Sequence, residues 1–144
     1  MRIGQASDWV WGLPLIVLMM LIHVFGLVLI SQRAARPPRT TQRLYPIAVP
    51  VMIMGSTVLL VAVLHGIEAA IWAFAYRILD ALPDGRSAML YSLNAITSYG
   101  HTNLELQGHW QLLGALEALN GCLAFGLTTA FLFAVIQKVV LTDK

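Results

Sequence analysis

Two carboxylates, Glu68 and Glu117, lie inside long apolar runs, where an ionisable side chain is costly and marks a candidate functional site. His65 and Trp72 share one helix face with Glu68, because they lie three residues before it and four residues after it. A His-x-x-Glu pair is half of a helical di-metal motif, which needs further carboxylates from other helices. Only Glu117 is available, so a metalloenzyme using His65, Glu68 and Glu117 is the minor interpretation. The main one is structural: Glu68, Asn94 and Glu117 are expected to support the loop that follows Asn94. Glu68 is expected to make a polar contact between the second long helix and the short helix, which holds Asn94 or the loop in place. Glu117 is expected either to brace the loop or to face the entrance of a pore.

That loop is a polar stretch at residues 97–103, which contains hydroxyl side chains and one glycine and follows about ten helix-compatible residues. Before these residues, Pro83 followed by Asp84 and Gly85 predicts a turn. The whole segment from residue 88 is too short to cross a bilayer, which needs roughly 20 apolar residues. Polar backbone at membrane depth is tolerated only where protein or a water-filled cavity shields it. The sequence therefore predicts a re-entrant loop that lines a pore, held by the two apolar runs that flank it.

The composition is that of an integral membrane protein. The 144 residues are 58% hydrophobic and 11% charged, against about 25% charged in an ordinary soluble domain. Three apolar runs, at residues 9–30, 44–79 and 110–136, are long enough to span a bilayer. A signal peptide is the alternative for the first run, but this run is too long for one and no clear cleavage site follows it. His23, alone in this run, is expected to pack between helices.

A basic loop between the first two spans predicts the orientation. Placing it in the cytoplasm puts the N-terminus outside, residues 80–110 outside and the C-terminus inside, with six of the nine basic residues on the cytoplasmic side. We expect a multi-pass membrane protein with no nucleic-acid partner. Residues 1–43 form the first helix and this loop, and residues 44–144 form a pore domain. The basic residues of the loop are Arg33, Arg36, Arg39 and Arg43.

Four segments of the second half carry a family resemblance. They are Tyr91-Ser92-Leu93, Thr97-Ser98, the run from Trp110, and Leu116-Glu117-Ala118-Leu119-Asn120-Gly121. In order and spacing they resemble small bacterial members of the potassium-channel-like P-loop cation channels, over residues 65–137, roughly half the chain. The resemblance implies an outer helix, a pore helix, a selectivity filter and an inner helix, assembled as four copies around one pore. It also implies that the protein lies in a bacterial inner membrane.

The family's filter pattern, Thr-Thr-x-Gly-Tyr-Gly-Asp, falls without a gap on Thr97, Ser98, Tyr99, Gly100, His101, Thr102 and Asn103. Thr97, Ser98 and Gly100 fit the pattern. At its last three positions, His101, Thr102 and Asn103 replace the family's tyrosine, glycine and aspartate. A two-residue deletion would align Tyr99-Gly100 with Tyr-Gly instead, at the cost of the spacing on both flanks. Thr102 is β-branched, and a positive φ is costly for such a residue. We therefore expect fewer ordered carbonyl rings than in a potassium filter. Potassium selectivity is therefore not implied.

The role of His101 has two interpretations. Packed behind the filter, it replaces the family's tyrosine and donates one hydrogen bond; this is the preferred interpretation. Exposed at the outer mouth, it forms a four-fold ring of imidazoles that repels cations at low pH.

The third span offers pore-lining and gating candidates. Asn120, Ala124, Thr128 and Phe131 recur on one helix face and are the predicted pore wall. The alternative is that this face packs on a neighbouring subunit. Gly121 and Gly126 allow either a gating bend or close helix packing, and packing is preferred.

Together these patterns predict an all-α membrane protein with three transmembrane helices and a re-entrant pore helix and filter loop between the second and third. Its expected function is passive conduction of monovalent cations such as potassium or sodium through a homotetrameric pore. No enzymatic activity, soluble cofactor or resident metal is expected, and the expected partners are the lipid bilayer and further copies of the chain. The alternative is a non-conducting or accessory membrane protein that retains the channel fold.

Overall fold

The computed structural model describes residues 3–33, 45–100, 104–107 and 109–141, and every regular element within these ranges is helical. The α-helices are α1 (Ile3–Arg33), α2 (Ala48–Ile78), α3 (Gly85–Ile96) and α4 (Gln111–Ile136), and a π-helical segment (Gln137–Leu141) continues α4. Three of them are long and apolar enough to cross a membrane, over Ser7–Arg33, Ala48–Ile78 and Gln111–Val139. The predicted all-α fold with three candidate spans is confirmed.

The three long helices present apolar side chains outward, as helices surrounded by lipid do. Val10 in α1, Phe25 in α1 and Leu59 in α2 are 68%, 65% and 66% exposed in the single chain. The 31 residues of α1 and of α2 correspond to about 46 Å of helix, which exceeds a hydrocarbon core of about 30 Å. Each of these helices is therefore long enough to span with tilt or to extend beyond the hydrocarbon.

The short helix α3 lies between α2 and α4. Its 12 residues correspond to about 18 Å, too little to span a bilayer. Its first turn starts at the predicted Pro-Asp-Gly turn, three residues before the predicted entry at Ala88. The buried residues Ala88, Tyr91 and Ala95 join it to the core. Its last residue, Ile96, meets Gly121 of α4, about 15 Å from the start of that helix.

The main apolar core gathers side chains from all four helices. Met19 of α1, Trp72 and Tyr76 of α2, Tyr91 of α3 and Leu113 of α4 are buried there. The Tyr76 and Tyr91 rings meet edge to face with 5.3 Å between centroids, a favoured aromatic geometry. Because α1 contributes to this core, the first span is part of the same helical bundle as the segment that carries the family resemblance.

The carboxyl end of α3 closes in a Schellman motif. The Ser98 N–H donates to the Ala95 carbonyl (2.9 Å) and the Tyr99 N–H to the Asn94 carbonyl (3.0 Å), which pairs two of the last carbonyls of the helix. Ser98 adopts a left-handed conformation, with φ 54°, at a position where glycine is usual. The chain therefore turns sharply at Ser98 and leaves the helix there.

At the other end of α3, Asp84 forms the N-terminal cap. Its side chain accepts a hydrogen bond from the Ser87 N–H (2.9 Å) and another from the Ser87 hydroxyl (2.7 Å). These bonds, the amide first, favour the carboxylate and hold the pKa of Asp84 below its ordinary value of 3.8. The charge also lies next to the positive end of the helix dipole.

A pH-dependent stabilisation follows. Because the folded-state pKa of Asp84 is lowered, its contribution is complete above its ordinary pKa and is lost as pH falls through the lowered value. The variant Asp84→Asn keeps an oxygen acceptor without the charge. We expect the wild-type protein to have a slightly higher Tm than Asp84→Asn at pH 7 and a smaller advantage at pH 3, measured by thermal unfolding in detergent. An advantage that is equally large at both pH values contradicts the prediction.

Candidate functional site

A buried polar cluster around Glu117 joins α2, α3 and α4. The Tyr76 hydroxyl donates to Glu117 Oε2 at 2.5 Å, and Ser92 Oγ lies 2.5 Å from Glu117 Oε1. The Ser92 hydroxyl also donates to the Ala69 carbonyl of α2 at 2.7 Å. The side chains of Glu117 and Ser92 are fully buried. Glu117 therefore contacts the short helix α3 directly at Ser92, which lies two residues before Asn94.

Counting protons in this cluster indicates its chemical state. The Ser92 hydroxyl carries one proton but has two oxygen neighbours, and the Ala69 carbonyl can only accept. If Ser92 donates to Ala69, the proton between Ser92 and Glu117 must come from the carboxyl group. The cluster is therefore fully paired when Glu117 is a neutral carboxylic acid, which also avoids an uncompensated buried charge.

A second buried cluster surrounds Glu68, on the face predicted from the sequence. Glu68 Oε1 lies 2.8 Å from His23 Nδ1 of α1, and Glu68 Oε2 lies 3.3 Å from His65 Nδ1, one turn earlier in α2. His23 and Glu68 are fully buried, and the His65 side chain is 13% exposed. The ligand-capable atoms of these three residues all lie within 4.8 Å of one another, which brings together a potential set of metal ligands.

Thr128 of α4 completes this cluster from the opposite side. Its Oγ1 lies 3.2 Å from His23 Nε2 and 3.1 Å from His65 Nε2, so it bridges the two imidazoles. The ring of Phe125 stacks on His65 with 4.6 Å between centroids. Three long helices are thus linked through polar side chains at one level of the bundle.

Glu68 does not make the contact predicted for it. Its side-chain contacts run to His23 and His65, and so join α1 to α2 instead of holding Asn94 or the loop. Glu117 belongs to the other cluster and is not among the grouped ligand atoms, so the metalloenzyme set of His65, Glu68 and Glu117 is not assembled. His23 packs between helices as expected, but through polar contacts. Its position as an isolated polar residue in an apolar run was the signal that pointed to a buried partner.

The predicted pore-wall face of α4 is largely covered within the chain. Asn120, Ala124 and Thr128 are buried, and Phe131 is half-buried. Gly121 lies against the Ile96 backbone, whereas the neighbourhood of Gly126 is open. This burial favours packing for Asn120, Gly121, Ala124 and Thr128, and their pore-lining or gating roles stay predictions.

The segment after α3 is exposed. Thr97, Ser98, Tyr99 and Gly100 are all accessible in the single chain, with Tyr99 84% exposed. The Thr97 hydroxyl donates to the Leu93 carbonyl at 2.6 Å, and its oxygen can still accept a hydrogen bond. Gly100 has a φ of 91°, which favours glycine.

The remaining predicted filter residues, His101, Thr102 and Asn103, lie outside the described residues, so both interpretations of His101 stay predictions. An apolar groove of about 380 Å³ opens beneath the end of α3. Leu93, Ile96 and Thr97 line it on one side, and His65 and Thr128 line it on the other.

Comparison of the chain with protein-family models, with curated proteins and with solved structures gives no match.

Proposed function

We propose that the chain is one subunit of a homotetrameric channel that conducts monovalent cations passively across the membrane. In this proposal α3 is the pore helix, residues 97–103 form the selectivity filter, and α2 and α4 are the outer and inner helices. The proposal is carried by one observation. The 12-residue helix α3 is too short to span a bilayer, and it ends between α2 and α4, which are both long enough to cross one. The sequence resemblance over residues 65–137 supports the same assignment.

The chemistry at the end of α3 suits a cation. The carboxyl end of a helix carries a partial negative charge, which is favourable for positive ions in a low-dielectric surrounding. The exposed backbone and hydroxyls of Thr97, Ser98 and Gly100 supply oxygen atoms of the kind that replace an ion's hydration shell. A polar backbone at this depth requires a protein-lined or water-filled surrounding. A pore shared with other subunits provides one.

Several copies are required by geometry, since one loop cannot enclose a pore. The side of α3 that faces away from the bundle exposes Leu90 and Leu93, at 47% and 39%, next to the exposed segment from Thr97. In the proposed tetramer, neighbouring subunits cover this apolar surface. The Glu117 cluster then fixes the depth of the pore helix within each subunit, because it ties Ser92 to α2 and α4.

The proposed orientation places the basic loop after Arg33 in the cytoplasm and the start of α3 at the exterior, in a bacterial inner membrane. The filter loop then enters the bilayer from outside. The groove beneath Thr97 lies on the cytoplasmic side of the filter.

The test is cation flux into proteoliposomes that contain purified full-length protein, with its subunit number measured by native mass spectrometry. We expect tetramers that pass potassium, rubidium or sodium, and a flux reduced about tenfold or more in Gly100→Ala. A left-handed backbone costs a non-glycine residue roughly 1–2 kcal/mol, and 1.4 kcal/mol corresponds to a factor of ten.

The matched control is Gly55→Ala in α2, because a Cβ at Gly55 meets nothing within 4 Å, no positive φ is involved, and Gly55 lies outside the proposed filter and inner helix. This variant is expected to conduct as the wild-type protein does. Verified tetramers that pass no cation would support the alternative of a non-conducting or accessory membrane protein with the channel fold, and a monomer would remove the conduction proposal.

A further inference from the structure

The hydrogen-bond pattern around Glu68 leaves two lone pairs that face each other. With neutral imidazoles and an ionised Glu68, His23 Nδ1–H donates to Glu68 Oε1, and His23 Nε2 accepts from the Thr128 hydroxyl. The Thr128 oxygen then accepts from His65 Nε2–H, which leaves His65 Nδ1 without a proton. That nitrogen points at Glu68 Oε2 from 3.3 Å, and both atoms are buried without a hydrogen-bond partner. An extra proton or a metal ion between or beside them would pair these two acceptors.

We propose that His23, His65 and Glu68 bind one divalent transition-metal ion of the Zn²⁺ type. Two imidazole nitrogens and one carboxylate oxygen are a ligand set that such ions use, with a fourth position left for water. A tetrahedral centre with bonds of about 2.0–2.1 Å holds its ligand atoms roughly 3.3 Å apart. The separation of His65 Nδ1 and Glu68 Oε2 has this value, and the third ligand is already within reach. Mg²⁺ and Ca²⁺, which prefer oxygen ligands, fit the site less well.

Thr128 supplies the outer support that histidine ligands require. When both Nδ1 atoms bind the metal, both Nε2 atoms carry protons, and the two lone pairs of Thr128 Oγ1 accept from them. The proton of His23 moves from Nδ1 to Nε2, so the number of protons in the cluster is unchanged. The Thr128 hydroxyl proton is then free to bond a carbonyl one turn earlier in α4, a common arrangement for threonine in helices.

The site has an entry route and a structural consequence. His65 lines the groove beneath the end of α3, so an ion can reach it from that side without unfolding the bundle. The bound ion joins α1 to α2 directly, and joins both to α4 through Thr128. This gives the first span, which lies outside the family resemblance, a defined role in holding the bundle together. The proposal is independent of cation conduction, because the ligands lie within a single chain.

The test uses tag-free full-length protein in detergent, stripped with a chelator and then dialysed against Zn²⁺. We expect about one Zn²⁺ per chain by elemental analysis, and a higher Tm with Zn²⁺ than with Mg²⁺ at the same concentration. His23→Gln, His65→Gln and Glu68→Gln are each expected to lose the bound Zn²⁺ and the Tm increase. The control His109→Gln removes an exposed histidine outside the cluster and is expected to keep both.

A second measurement on the wild-type protein guards against variants that fail to fold. Co²⁺ added to the stripped protein is expected to give the intense visible absorption of a tetrahedral site, and Zn²⁺ is expected to remove it. The proposal is overturned if the folded wild-type protein retains no Zn²⁺ and gives no Co²⁺ spectrum, in which case the cluster holds an extra proton instead. It is also overturned if His65→Gln retains as much Zn²⁺ as the wild-type protein.

Discussion

Replacing Glu117 with alanine is expected to lower the free energy of unfolding by about 2–5 kcal/mol, because it removes the common partner of α2, α3 and α4. The Tyr76 hydroxyl would lose its acceptor, and a buried unpaired polar group costs about 1–3 kcal/mol. The lost side-chain volume adds a cavity, since Glu117 is fully buried. Thermal unfolding in detergent, with α-helical circular dichroism as the signal, measures the change.

The matched variant Glu117→Gln tests the protonation state as well. If Glu117 is a neutral acid, a glutamine side chain can reproduce its pattern: the amide oxygen accepts from Tyr76 and the amide N–H donates to Ser92. We therefore expect Glu117→Gln to cost less than about 1 kcal/mol, far less than alanine. A glutamine variant as unstable as the alanine variant would show that a charged carboxylate holds the cluster. An alanine variant as stable as the wild-type protein would remove the structural role altogether.

Replacing Gly121 with alanine is expected to destabilise the protein by about 1–3 kcal/mol and to move α3 away from α4. A Cβ at this position would overlap the carbonyl oxygen of Ile96, which is a backbone atom and cannot change rotamer. The contact therefore depends on the absence of a side chain, as in other close approaches of membrane helices. Thermal unfolding measures the loss of stability, and the cation flux of the folded fraction reports whether α3 has moved.

Gly126→Ala separates packing from gating on the same helix. With open space around its Cβ, this substitution is expected to leave the Tm unchanged or to raise it through the better helix propensity of alanine. Equal Tm values for Gly121→Ala, Gly126→Ala and the wild-type protein would contradict the packing role of Gly121. A flexible bend at either glycine would instead alter flux without altering stability.

Local sequence patterns determined the elements of this protein. The apolar runs predicted at residues 44–79 and 110–136 became Ala48–Ile78 and Gln111–Ile136, because length and hydropathy alone require such segments to be helices. The Pro-Asp-Gly turn predicted the break before α3, and Asp84 caps that helix through its own neighbour Ser87. These features depend on residues that are close in the chain, so the sequence is sufficient to find them.

Only the tertiary structure decided which polar groups meet. The periodicity of α2 placed His65 and Glu68 on one face, but it did not say whether α1 or α3 lies opposite, and the structure brings His23 to Glu68. In the same way, Asn120 and Thr128 share a face whose neighbour turned out to be the chain's own helices. The physical reason is that lipid and protein neighbours are both apolar, so hydrophobic patterning within a span does not distinguish them. The meeting of residues 45 positions apart is set by the packing of whole helices.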